Sequence, residues 1–167
     1  MVLEEALDVT DDSGFLAIID PDAYEGFVDE DWELDDLIAH FVSQMAQQRL
    51  LIWGTGRADI WSCVLRARAE CTGFRQIEGS IASTQGRLHL TNYESLTMAA
   101  QFRQVTLPQK HELDQLVSIP PGEYTCRVTQ LLDPDDDEAE HEDGDFIIEL
   151  STPGSSQTWT EIPWWER

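Results

Sequence analysis

Apolar residues in this chain come in short runs closed by Gly, Pro or Asp, and only one stretch breaks that rhythm. Short runs bounded by turn residues fit strands, whereas a helix needs apolar positions recurring every three or four residues. Gly14-Phe15-Leu16-Ala17-Ile18-Ile19 ends in Asp20-Pro21-Asp22, and Leu50-Leu51-Ile52-Trp53 ends in Gly54-Thr55-Gly56. A longer strand is predicted over residues 59–69. Residues 74–84 and 87–91 flank Gln85-Gly86, which predicts a hairpin with Gly at a positive φ. There Leu88 and Leu90 would share one face, with Arg87 and His89 on the other. Leu116-Val117-Ser118-Ile119 runs into the turn Pro120-Pro121-Gly122. In the strand predicted at 124–132, Tyr124, Cys126 and Val128 alternate with Thr125, Arg127 and Thr129, the pattern of a half-buried strand. A strand at 146–150 and a turn at 153–156 complete the series, while residues 93–102 suit either a short helix or a strand.

The exception is residues 32–48, where Leu34, Leu37, Ile38, Phe41, Val42 and Met45 recur at helical spacing. Acids crowd its beginning, where the helix dipole favours them. The expected fold class is therefore mostly β, a β-sandwich carrying one amphipathic α-helix near residues 32–48. Residues 1–13, acidic and without pattern, are expected as a mobile or peripheral arm. Residues 14–167 are expected as a single β-rich domain with a solvated acidic loop at 133–145.

The formal net charge of −23 is unevenly placed. Residues 1–48 hold fourteen acids and no Lys or Arg, residues 49–110 carry a local +4, and residues 111–167 a local −13. Acidic ends thus flank a mildly basic middle, which allows internal pairing with Arg49, Arg57, Arg66, Arg68, Arg75 and Arg87. Most acids must still face water, because an unpaired buried charge is too costly. A field of this sign repels nucleic acid and favours a basic protein partner. No stretch approaches the ~20 apolar residues of a membrane span, and Met1-Val2-Leu3-Glu4-Glu5 does not read as a signal peptide. Cys63, Cys71 and Cys126, an odd set without C-x-x-C spacing, fit buried reduced thiols of a cytoplasmic protein.

Motifs for catalysis or cofactor binding are missing. Asp133-x-Asp135-x-Asp137 opens like a calcium loop, but Glu138 and Gly144 stand where an EF-hand needs Gly and Glu. His40, His89, His111 and His141 are scattered, without zinc-ligand spacing. Gly79-Ser80-Ile81-Ala82-Ser83 lacks the second glycine of a nucleophile elbow. Among thirty-three acids some pair is inevitable, so paired carboxylates carry no signal. Trp164-Trp165 stands out because neighbours on a strand face opposite ways, so one ring would be available to a partner.

Between residues 50 and 150 the order of elements resembles the competence protein J family, small bacterial β-sandwich inhibitors of a DNA-uptake nuclease. The likeness rests on Arg49-Leu50-Leu51-Ile52-Trp53, Gly86-Arg87-Leu88-His89-Leu90, Ile119-Pro120-Pro121-Gly122-Glu123-Tyr124-Thr125-Cys126 and Phe146-Ile147-Ile148-Glu149-Leu150. The helix, the acidic stretch at 133–145 and the Trp tail depart from it. The segregated acidity, the missing catalytic and metal motifs and the resemblance together give the expected function: a non-enzymatic inhibitor-like or immunity-type protein without cofactor or metal, engaging a basic protein such as a nuclease or toxin. The expected contacts are Asp31, Glu33, Asp35 and Asp36 at the helix start, Asp135, Asp136, Asp137, Glu138 and Glu140 in the acidic loop, and Trp164 with Trp165. The alternatives are a Ca²⁺-dependent or carbohydrate-binding sandwich module using the 133–145 loop, an enzyme whose site is assembled from scattered residues, or acidity that serves only the protein's own structure.

Overall fold

A computed structural model describes residues 3–136, 140, 143–154 and 157–165. Nine strands build two sheets: β1 (Glu4–Asp11), β2 (Phe15–Ile19), β3 (Leu50–Gly54), β4 (Asp59–Ala67), β5 (Arg75–Ser83), β6 (Arg87–Asn92), β7 (Leu116–Ser118), β8 (Gly122–Gln130) and β9 (Phe146–Ser151). The larger sheet runs β1-β4-β9-β8-β5 and the smaller β3-β2-β6-β7. Every pairing is antiparallel except β4 with β9. Helix α1 (Leu34–Ala46), helix α2 (Tyr93–Gln101) and a 3-10 helix (Lys110–Gln115) complete the fold, a β-sandwich with helical additions.

Cross-strand partners share a face, so register alone sorts the core. In the smaller sheet Leu16 pairs with Trp53, and Ile18 with Leu51 and Leu90; in the larger, Cys63 pairs with Phe146 and Leu65 with Ile148. These residues meet between the sheets, where the Phe146 ring stands 5.4 Å from Trp61 and 6.3 Å from Trp53. The other face of the smaller sheet is also buried, at Ala17, Ile19, Ile52, His89 and Thr91. Helix α1 contributes Leu37, Phe41 and Met45 to the same core cluster.

Several expectations are corrected. Residues 4–11 are not an arm: they form edge strand β1, registered on β4 from Glu4↔Arg66 to Asp11↔Asp59. Asp8 lies between Leu7 and Val9, and Glu4, Glu5 and Asp11 complete an acidic composition that hides the strand. Asp11, at its end, is buried and accepts five hydrogen bonds, from the backbone of Ser13, Gly14 and Phe15 and from the Thr55 hydroxyl and Trp61 indole. Residues 74–91 are not a hairpin. Strand β5 pairs with β8, whereas β6 pairs with β2 and β7, so Thr84, Gln85 and Gly86 carry the chain between sheets; Gly86 does take a positive φ, of 91°. Residues 93–102 resolve as α2, where the Asn92 side chain caps Ser95 N at 2.9 Å. Strand β8 is buried on both faces, because a central strand under the β4–β5 connection has no wet side.

Register also builds a row of alternating charge across the larger sheet: Glu4↔Arg66↔Glu149↔Arg127↔Glu78. Glu149 is fully buried and receives Arg127 Nε at 2.8 Å, Arg66 Nε at 3.4 Å and Ala69 N at 2.8 Å. Arg127 also donates to Ala69 O, which ties the β4–β5 connection over the row.

Candidate functional site

The C-terminal segment closes one side of the sandwich. Strand β3 ends at Gly54, whose N–H donates to Pro163 O at 2.9 Å. A Cβ at Gly54 would stand 2.4 Å from Trp164 O, so only glycine admits this crossing. On strand β5, Gly79 leaves room for the Trp159 indole, which donates to Glu78 O at 2.8 Å. Sheet edges left open invite pairing with other chains; here the segment covers both β3 and β5.

Beside it lies an open cleft of about 390 Å³ that gathers Asp135, Trp164 and Trp165 with Phe15, Arg57 and Arg75. The Arg75 guanidinium stacks 4.5 Å from the Trp164 ring centre and donates Nε to Gln130 at 2.7 Å. Arg57 donates to Pro134 O at 2.7 Å and pairs with Asp59 at 3.0 Å. Trp165 meets Phe15 edge-on at 5.6 Å. Both tail tryptophans are thus packed and half-buried.

The remaining expected contacts lie elsewhere. Asp31, Glu33, Asp35 and Asp36 are exposed at the start of α1, where Asp36 accepts from Glu33 N at 3.1 Å. Among the described residues none of these four makes an ion pair. Asp136 is exposed, and Glu140 borders a different cleft with Asp143, Asp145 and Arg66. Asp137 and Glu138 fall outside the described residues. Asp133 Oδ1 is taken by Asp135 N at 2.9 Å, an Asx turn. Among the described residues no three His, Cys, Asp or Glu side chains converge as metal ligands, and no helix is long and apolar enough to cross a membrane.

A polar cluster that the sequence did not announce joins β6 to the 3-10 helix. Glu112 is buried and accepts from the Thr91 hydroxyl at 2.8 Å, while His89 Nε2 lies 3.4 Å from the same carboxyl. Burial works against the charged carboxyl, but the bonds from His89 and Thr91 outweigh it and hold Glu112 below its ordinary range. Alternation put His89 on an open face; only the 3-10 helix lying over it explains its burial.

Five strands facing four, with helices at the smaller sheet, define the class: a β-sandwich with helical additions. Solved structures with this fold include the protein described as crocagin biosynthetic gene J, with a TM-score of 0.55, 19% identity, and 90% of this chain covering 96% of that one. They also include ComJ, inhibitor of the DNA-degrading activity of NucA from Bacillus subtilis, with a TM-score of 0.53, 10% identity, and 90% covering 97%. The resemblance to the competence protein J family is therefore present in the fold. No protein-family model and no curated protein matches the sequence.

Proposed function

We propose that this chain is a non-enzymatic binding protein of inhibitor or immunity type that engages a basic protein, a nuclease or a toxin. One observation carries the reading: among the described residues the acids Asp31, Glu33, Asp35 and Asp36 at the start of α1 make no ion pair. Among the described residues Arg49, Arg57, Arg66, Arg68, Arg87 and Arg127 pair with Glu25, Asp59, Glu149, Glu78 and Asp22. The acids from 29 to 36 stay exposed. A surplus of that kind attracts a cationic surface and raises its rate of encounter, within a Debye length of about 8 Å in physiological salt. The fold shared with an inhibitor of NucA gives the same direction. In this reading the acids of the α1 start and of the 133–145 loop face the partner, and the half-buried Trp164 and Trp165 offer ring edges.

The test is calorimetric titration with a basic nuclease at low and high salt, on the natural chain and on a variant. The variant carries Lys at 31, 33, 35 and 36 and at the five acidic-loop positions 135, 136, 137, 138 and 140. Binding that weakens steeply with salt and is lost in the variant supports the reading; unchanged binding at low salt refutes it.

A further inference from the structure

Between α2, the 3-10 helix and the end of β1 lies a further cleft, of about 440 Å³. Three of its lining side chains carry an acceptor oxygen that is buried and has no hydrogen-bond partner among the described residues: Glu94 Oε2, Glu112 Oε1 and Gln115 Oε1. Each side chain is held by its other polar atom. Glu94 Oε1 accepts from Asp12 N at 2.9 Å and the Ser13 hydroxyl at 2.6 Å, Glu112 Oε2 accepts from Thr91, and Gln115 Nε2 donates to Asp8 O at 3.3 Å. Buried acceptors normally find donors, and no Lys or Arg lines this cleft among the described residues.

We propose that the cleft receives the guanidinium of an arginine presented by a basic protein. The proposal rests on the function proposed above and names where one of the partner's cations goes. A guanidinium brings five donors in a planar fork and no acceptor, which suits several fixed oxygens on separate elements. A metal ion would need its ligands convergent, and these are not. Met98, 44% exposed, lines the same cleft and offers apolar surface to the arginine stem. The exposed His111 ring stands 3.9 Å over Glu112 Oε1 and swings aside to admit the cation.

The experiment uses the full ¹⁵N-labelled chain, followed by NMR during titration with blocked Gly-Arg-Gly and with its citrulline counterpart, which keeps the shape but lacks the charge. The expected result is saturable shifts at residues 93–98 and 111–116 with the arginine peptide and a flat response to citrulline. Glu94→Gln should weaken the arginine peptide about tenfold, the loss of one charge-assisted bond. Glu112→Gln should do the same if it folds, and His111→Ala should not weaken it. Shifts centred on residues 29–36, or equal responses to the two peptides, overturn the assignment. If the peptide fails here while the chain still binds a basic nuclease, the cleft is wrong and the proposed function stands; if the peptide binds here and no basic protein does, the function is wrong.

Discussion

Replacing Arg127 by methionine removes the cation from the middle of the charged row while keeping most of its apolar stem. Glu149 Oε1 then loses both of its donors, Arg127 Nε at 2.8 Å and Nη2 at 2.6 Å. The carboxylate keeps Ala69 N at 2.8 Å and Arg66 Nε at 3.4 Å, both on Oε2. Two charge-assisted bonds at about 1.5–3 kcal/mol each agree with the ~3–5 kcal/mol typical of breaking a buried ion pair from one side. The double variant Arg127→Met with Glu149→Leu removes both charges; beyond Ala69 O, which the single variant strands too, it strands the part-exposed Arg66 Nε and the buried Ala69 N, the latter at about 1–3 kcal/mol. It should therefore be more stable than Arg127→Met alone, although it carries one more substitution. Urea unfolding followed by circular dichroism, with a common slope for all variants, reads both numbers. A loss below about 1 kcal/mol for Arg127→Met, or a double variant no better than the single, would refute the reasoning that burial makes this pair interdependent.

Asp11→Ala leaves the Trp61 indole and the N–H groups of Ser13, Gly14 and Phe15 without their acceptor, while the Thr55 hydroxyl keeps Arg57 O; a cost of about 2–5 kcal/mol is expected, read by chemical unfolding. Gly79→Ala drives a Cβ to within 2.7 Å of the Trp159 indole, so it should lift the C-terminal segment and speed proteolysis there more than it shifts global stability. Glu112 has a folded pKa below its ordinary value of 4.5, so its contribution is complete above pH 4.5 and fades as pH falls through the folded value. Glu112→Gln should flatten that acid limb of the stability curve. Burial raises the Cys126 thiol to about 12 and Cys63 further still, whereas Cys71 is part-exposed. Native alkylation at pH 8 should modify Cys71 alone, checked by mass spectrometry.

Periodicity and turn chemistry were enough to determine β2, α1, β3, β8, β9 and the positive φ of Gly86, because these are local signals repeated over several residues. The sandwich followed from them, since many short strands with one amphipathic helix have few ways to bury their apolar faces. Charge segregation was equally a property of the sequence. Which strand pairs with which was not: β5 and β6 look like a hairpin locally, and only their partners in opposite sheets separate them. Strand β1 was obscured by its acids: an edge strand can carry Glu4, Glu5 and Asp8 exposed, and Asp11 is buried only by its hydrogen bonds to the following turn, Thr55 and Trp61. The positions of the acids also needed the fold. Residues 29–36 stay exposed, Glu149 is buried by register with Arg127, and Glu94 and Glu112 meet only because α2 and the 3-10 helix pack beside β6. A carboxylate's neighbours are set by long-range packing, so a sequence shows how much charge there is and the tertiary structure decides which of it remains for a partner.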